Sequence, residues 1–530
     1  MAVYLGKEKI GVIIGTIPEG ELIIKENGTH DVTNYAKAIV SVGEDRTIEV
    51  PMPSSFGGST TDIYHLKIDY DRILFSSDAL NGGLYLYTIS TNEMTLLLNT
   101  SAILYFQQVT ETKWLLGAGI HDSNQGYGLV LYNSSDNSCV VLNGRGMNTF
   151  QQVSETKWLI ACSGSTQNTG ILLYNSADDS CIKVYESNPG WEHFQQVTNT
   201  KWLIASNISS TGLLLYNSSD DSCIKVYENG YEWDYSQKVT DTKWLVCSLE
   251  RNVGILVYNS EDDIVTQIYE SGRWNYFQVI NNKCLISSDV GDYGLGILLY
   301  NSADDSCIQI YTNSYRWKYF QVIGNKCLIG NSQSGTGLVR YDSEDDSCIK
   351  VYANGYDWQY FQQVTDTKLL IGCSGSYGIL LYNSADDSCR QIYNAGGRWQ
   401  DFQQVTDTKW LITSRTYTNA GILLYNSTND SCVKKYSSGR GWIRFQQVSD
   451  TKWLISSYIS GDTNSLGVLL YNSSSDKFTK KYSVSYNYNK FVQDGDNYYI
   501  SSSNKETNPL TLYYNATDDS VKLVGYYVEV

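Results

Sequence analysis

The side chains best equipped for chemistry in this sequence recur in register. Aspartate pairs stand at Asp178/Asp179, Asp220/Asp221, Asp304/Asp305, Asp345/Asp346 and Asp386/Asp387, each inside a phrase such as Asn217-Ser-Ser-Asp-Asp-Ser222. Paired carboxylates suit Ca²⁺, but that ion takes about six to eight oxygens from a purpose-built loop, and these short runs lack its alternating Asx spacing. Asn, Asp and Ser bonding their own backbone in a tight turn is the simpler reading. Tryptophans recur as well, at Trp191, Trp233, Trp274, Trp317, Trp358, Trp399 and Trp442, just ahead of a repeated Phe-Gln-Gln phrase. Such indoles stack on sugar rings while Asp, Asn and Arg bond hydroxyls, or they pack between repeats, and their regularity speaks for packing. The candidate ligand contacts are therefore two sets: Trp233, Trp274, Trp317, Trp358 and Trp399, and the residues just before them, Tyr231, Arg273, Arg316, Tyr356 and Arg398, which are the better placed for contact.

Other chemistry is missing. No Ser/His/Asp set repeats, His121 and His193 are not equivalent, and neither a Gly-rich phosphate loop nor an HExxH motif occurs. The expectation is a non-enzyme without a cofactor. A glycan-degrading carboxylate pair among the 56 acids is the alternative. The 12 cysteines fall at repeated positions. Cys139, Cys181, Cys223, Cys307, Cys348, Cys389 and Cys432 follow a turn, whereas Cys162, Cys247, Cys284, Cys327 and Cys373 lie in another strand. Equivalent positions in successive repeats lie too far apart for disulfides, so buried free thiols are expected. With 4 His and no CxxC pair, zinc is not expected.

The elements that position these residues follow from one phrase. Phe106-Gln-Gln-Val109 returns at Phe150, Phe194, Phe361, Phe402 and Phe445, with Ser236-Gln-Lys-Val239, Phe277-Gln-Val279 and Phe320-Gln-Val322 between them, at intervals of roughly 41–44 residues. Divergent copies begin near Tyr64 and Phe491, giving about eleven repeats. Each reads as four short strands; in one copy these are Phe194–Val197, Lys201–Ser206, Gly212–Asn217 and Cys223–Tyr227. A four-stranded sheet of this size cannot bury both faces alone, and radial stacking solves that problem. The expected fold is all-β, a β-propeller of about eleven four-stranded repeats with a small N-terminal β domain. One wide ring or two smaller rings would accommodate them, and Tyr526–Val530 would add a closing strand. A β-solenoid is the alternative. The phrase Gly-Leu-Leu-Leu-Tyr-Asn-(turn)-Cys-Ile-Lys-Val-Tyr resembles the third and fourth strands of WD-repeat-like blades, without a WD or GH signature. The repeated Gln-Gln pairs are candidates to line a central channel.

The totals exclude several classes. A net charge of -17 leaves no dense cationic surface for nucleic acid. No run of about 18 apolar residues predicts a membrane-spanning helix. The start, Met1-Ala-Val-Tyr-Leu-Gly-Lys7, has no secretory pattern. Comparing the copies separates two faces. The first-to-second and third-to-fourth turns barely change. The opposite connections vary, including Gly119–Gly128, Leu249–Gly254 and Arg415–Gly421 between second and third strands. Varied loops on a rigid scaffold suit a ligand face.

Residues 1–50 lie outside the array as an N-terminal β domain, with strands expected at Ala2–Leu5, Gly11–Gly15, Glu21–Lys25 and Thr33–Val42, and 51–62 reads as a linker to the array at 63–530. Met1-Ala-Val-Tyr-Leu-Gly-Lys-Glu-Lys-Ile-Gly-Val12 and Ile24-Lys-Glu-Asn-Gly-Thr-His-Asp-Val-Thr-Asn-Tyr-Ala-Lys-Ala-Ile-Val-Ser-Val42 resemble the N-terminal segments of tail-associated structural proteins from phages and prophages of Gram-positive bacteria. The resemblance covers about a tenth of the chain. It implies virion attachment through the N-terminus, assembly in the bacterial cytoplasm, and a distal module that binds a host-surface receptor, with glycan as the expected partner. The alternatives are a structural virion spacer, a bacterial protein-interaction scaffold, and a glycan-degrading enzyme.

Overall fold

The computed structural model describes six strands within residues 2–51. From residue 62 to 526 it describes the strands of every repeat, omitting the second-to-third connections and parts of most connections between repeats. The fold is all-β: eleven antiparallel sheets follow one another in a β-propeller-like array, each built from four consecutive strands in sequential order. Repeats 1 to 11 begin at Asp62, Ile103, Met147, Trp191, Trp233, Tyr276, Trp317, Trp358, Trp399, Trp442 and Lys490. Two compact halves divide between Arg273 and Trp274, with repeats 1–5 in one and repeats 6–11 in the other. Among the described residues no helix is long and apolar enough to cross a membrane.

Near the N-terminus Ala2–Leu5 pairs antiparallel with Glu8–Val12, and Glu21–Ile24 runs parallel to Lys37–Gly43, which Arg46–Pro51 joins. The second strand thus sits earlier than the expected Gly11–Gly15. Thr29–Asp31 pairs with Asp62–Lys67, so the segment before the array contributes a fifth strand to the first sheet. The residues expected to form a closing strand after Tyr526, and the linker from 52 to 61, lie outside the described residues.

Within each repeat the middle strands carry the apolar load. Gly170–Asn175 and Lys201–Ser206 are buried almost end to end, whereas Ser180–Glu186 is largely exposed or half-buried. A middle strand between two neighbouring sheets has both faces covered, so its sequence is a continuous apolar run. The fourth strand is an edge. A bulge near its end and a lysine on its outward side, as at Lys183, protect it from pairing with other chains. The first strand begins three residues earlier than its sequence phrase, at the tryptophan. In repeat 8 the ladder slips between Trp358 and Tyr360. That extra residue turns the indole into the inter-sheet core, beside Leu328, Leu338 and Ile371. A tyrosine ending the preceding fourth strand meets the indole edge-on at Trp191, Trp233, Trp317, Trp358, Trp399 and Trp442; Tyr352–Trp358 and Tyr393–Trp399 lie 5.8 and 5.5 Å apart at near-right angles.

Close approach fixes the residue types opposite that tryptophan. A Cβ placed on Gly330 or Gly372 would lie 1.9 Å from the carbonyl oxygen of Trp358 or Trp399 in the next repeat. Where serine takes this position its hydroxyl donates across the gap, as Ser287 does to the Trp317 carbonyl at 2.5 Å and Ser456 to that of Tyr488 at 2.6 Å.

The aspartate pairs divide their work. Asp178 Oδ1 accepts from the Ser180 amide and hydroxyl, which is the expected turn chemistry. Its partner Asp179 has a left-handed φ of 57°, a conformation Asp and Asn tolerate. That turn aims its carboxylate at Tyr174 of the same repeat (2.7 Å) and at Lys113 of the preceding one (2.6 and 2.8 Å). The bridge recurs as Lys157–Asp221 and Lys201–Asp263 in the first half. In the second half it joins Lys283–Asp346, Lys326–Asp387, Lys368–Asp430, Lys409–Asp476 and Lys452–Asp519. The first-to-second turn of one repeat is thereby stapled to the third-to-fourth turn of the next. Arg72 begins the series by bonding Asn137 and the Ser134 carbonyl.

Repeat 7 departs from the pattern. Its third strand, Leu338-Val-Arg-Tyr-Asp342, places Arg340 where repeats 1–6 and 8–10 have an aliphatic residue. Arg340 bonds Asp342 at 3.2 Å and Asp387 of repeat 8 at 3.0 Å. The eleven cysteines whose side chains are described are free thiols: burial pushes Cys139 and Cys181 up to about 11, and Cys223, Cys348 and Cys432 up to about 12.

Two predictions follow from these bridges. Burial alone would raise the Asp430 pKa, yet hydrogen bonds from Lys368 and Tyr425 more than offset it and hold the carboxyl below its ordinary value; Asp179, Asp346, Asp387, Asp476 and Asp519 are held low in the same way. A depressed folded pKa contributes stability that is complete above the unfolded value, near 4, and disappears as pH falls through the folded value. Urea unfolding should show Asp430→Ala costing about 1 kcal/mol at pH 7 and less at pH 3. In the same assay Arg340→Ala should cost about 3 kcal/mol, whereas Arg340→Leu with Asp342→Asn, which restores the sister pattern, should match or exceed the parent.

Candidate binding groove on the first strands

The first strand of each repeat has one core face and one wet face. Val364 and Trp358 are buried, Phe361 packs against the core, and Gln362 and Gln363 reach solvent. The first glutamine of each pair has its amide fixed by its own backbone. Gln362 and Gln403 donate Nε2 to the next residue's carbonyl at 2.9 Å, and Gln321 and Gln446 do so at 3.1 and 3.0 Å. The same bond recurs in the first half, at Gln107, Gln151, Gln195 and Gln237. Neighbouring first strands are also linked sideways. Ser236 donates to Gln195 Oε1 at 3.1 Å, and Tyr319 donates to Gln359 Oε1 at 2.9 Å.

In repeats 8–10 this surface dips into a groove of about 460 Å³ lined chiefly by Gln359, Tyr360, Gln362, Gln400, Asp401 and Gln403, with phenylalanine rings between them. That volume falls within the range of small-ligand sites. Its chemistry is distinctive. Four side-chain amides offer donors and acceptors together, one carboxylate adds a strong acceptor, and aromatic faces supply apolar surface. No Lys or Arg lines it, so it offers no charge match for phosphate. Its ionisable side chains are Asp401 and Tyr360. The arrangement suits a neutral, hydroxyl-rich molecule.

The residues singled out in the sequence fall elsewhere. Trp233, Trp274, Trp317, Trp358 and Trp399 are at most 1% exposed and are core side chains, so stacking on a ligand is corrected to packing. At Trp233, Trp317, Trp358 and Trp399 the cause is the bulge that turns the indole inward. Arg316 and Arg398 are exposed and Arg273 is half-buried. Tyr231 and Tyr356 lie outside the described residues, as do nearly all of the variable connections 119–128, 249–254 and 415–421. The groove residues were reachable from the sequence by a signal that was passed over. Between an invariant tryptophan and an invariant Phe-Gln, two positions change in each repeat: Asn275-Tyr276, Lys318-Tyr319, Gln359-Tyr360, Gln400-Asp401, Ile443-Arg444. Among the described residues no group of three His, Cys, Asp or Glu is placed to hold a metal ion.

No protein-family model matches the chain, and no curated protein does. Solved structures similar in backbone include the extracellular domain of a putative one component system from B. thetaiotaomicron, at 13% identity over 99% of this chain and 73% of that one, with a TM-score of 0.25. A computationally designed protein matches at 8% identity over 64% of this chain and 96% of its own, with a TM-score of 0.30. At such scores neither bears on function.

Core and surface roles separate experimentally. Trp358→Ala should cost about 3–5 kcal/mol in urea unfolding, as truncation of a large buried aromatic does. Arg316→Ala, at an exposed site, should stay within about 0.5 kcal/mol of the parent.

Proposed function

We propose that this chain is a phage tail or appendage protein whose repeat array recognises a glycan on the surface of a Gram-positive host. The observation that carries this reading is the lining of the groove: amides from Gln359, Gln362, Gln400 and Gln403, the Asp401 carboxylate and the Tyr360 ring, with no cation among them. Amide and carboxylate groups bond hydroxyls in both directions, and aromatic faces cover the apolar C–H side of a sugar ring.

Two features support the reading from other directions. The N-terminal phrase Asn27-Gly-Thr-His-Asp-Val-Thr-Asn-Tyr-Ala36 resembles segments that anchor tail-associated proteins to virions, and in that role residues 1–50 contact other virion proteins. The array is a stiff support in which turns and cores repeat while a few surface positions change, as suits recognition without large rearrangement.

The test is adsorption of the full chain to intact Gram-positive cells and to their purified wall polysaccharide. Saturable binding that free polysaccharide competes away is expected, and Gln400→Ala should weaken it about five- to tenfold, the equivalent of one hydrogen bond. A folded chain that binds no cell or polysaccharide across a broad host panel would instead favour a structural virion component.

A further inference from the structure

The groove is one part of a longer register. In repeats 6 to 10 the second variable residue of the first strand is Tyr276, Tyr319, Tyr360, Asp401 and Arg444. Each occupies the same ladder position, opposite a small or hydroxyl-bearing residue of the second strand: Ser287, Gly330, Gly372, Thr413 and Ser456. All five are half-buried or exposed, whereas the tryptophan before them is buried. The Tyr319–Gln359 bond joins the variable position of repeat 7 directly to the groove in repeat 8. Packing does not call for this variation, because the adjoining Trp, Phe and Gln hold the strand in nearly every copy. Polar and aromatic groups therefore continue beyond the groove at one position per sheet.

We infer that this row is a single binding track and that its ligand is an unbranched glycan chain, held along interior sugars across several repeats. The inference rests on the glycan-binding reading above and specifies its ligand. Neighbouring first strands approach within 8 Å at their Cα atoms, closer than the usual face-to-face spacing of about 10 Å, so Tyr319, Tyr360 and Asp401 cover roughly 15 Å, still more than one sugar ring can span. A chain crossing them meets a phenol, the amides of the groove and a carboxylate in fixed order, and that order sets its register. Each sheet adds a modest contact, so affinity accumulates with length as it does for linked sites.

The experiment uses wall polysaccharide from the host strain that the full chain binds, cut by partial hydrolysis and separated into short, intermediate and long pools, with calorimetric titration of each. Affinity per chain should rise about tenfold or more from the shortest pool to one long enough to cross three sheets, then level off. Arg444→Ala, at an exposed position of the row outside the groove lining, should weaken the long pool about fivefold and leave the shortest unchanged. Equal affinity of all pools for the parent protein would overturn the track while leaving glycan binding in place. An Arg444→Ala loss of the same size in every pool would also overturn it. Failure of every pool and of the intact polymer to bind would overturn both readings. The length series needs only the parent protein, so it decides the matter even if the variant does not fold.

Discussion

Every four-stranded sheet in this protein has two apolar faces and too few residues to cover either. That deficit is the constraint on which the rest depends. A sheet of about forty residues cannot form a core by itself, so its stability lies in the interfaces with the sheets before and after it. The sequence answers with residues that act only at those interfaces. Trp358 inserts between repeats 7 and 8, against Leu338 and Ile371, and Tyr352 closes on its edge. Gly330 and Gly372 leave room for the next backbone, where any side chain would collide with a carbonyl.

Polar chemistry repeats for the same reason. In repeats 2–4 and 6–10 a lysine at the start of the second strand reaches the aspartate of the next repeat, and a tyrosine from that repeat's own third strand steadies the carboxylate, as in Lys368–Asp430–Tyr425. The half-buried setting strengthens each bridge over a free surface pair without the full desolvation cost of a buried one. Its geometry requires the left-handed turn that Asp430 adopts at φ 54°. The near-identity of these turns is therefore a packing requirement. Repeat 7 uses the same site differently: the buried Arg340 shares Asp387 with Lys326, while across the next interface the more exposed Arg390 lies 3.5 Å from Asp430, which Lys368 also holds.

Recognition fits into what such a scaffold leaves free. Core, staple and edge positions are prescribed, so variation is confined to connections and to the pair of residues between tryptophan and phenylalanine. In the groove these are amides, a phenol and a carboxylate held on strands instead of loops, with the glutamines fixed by their own backbone. Groups so held have little freedom to lose when they meet a ligand, which favours affinity from few contacts.

Much of the fold was legible because its signals are local. The period, the four strands per repeat and the Asn-Ser-Ala-Asp-Asp-Ser turns follow from alternation and turn chemistry. Free thiols followed from their repeated placement. What the sequence could not decide depends on which repeat meets which. It left the tryptophans balanced between ligand contact and core, because the bulge that buries them lies in hydrogen bonds to the next strand. It read both aspartates of a pair as turn residues, because the lysine that claims the second lies 61–67 positions away in the neighbouring repeat. It left the Gln-Gln pairs without a face, since strand alternation fixes sides only once the bulge is known. Composition and spacing by themselves determined a tandem all-β array. Only tertiary structure decided which repeated residues are interior and which meet solvent, because burial here is a property of two adjacent sheets and not of either one alone.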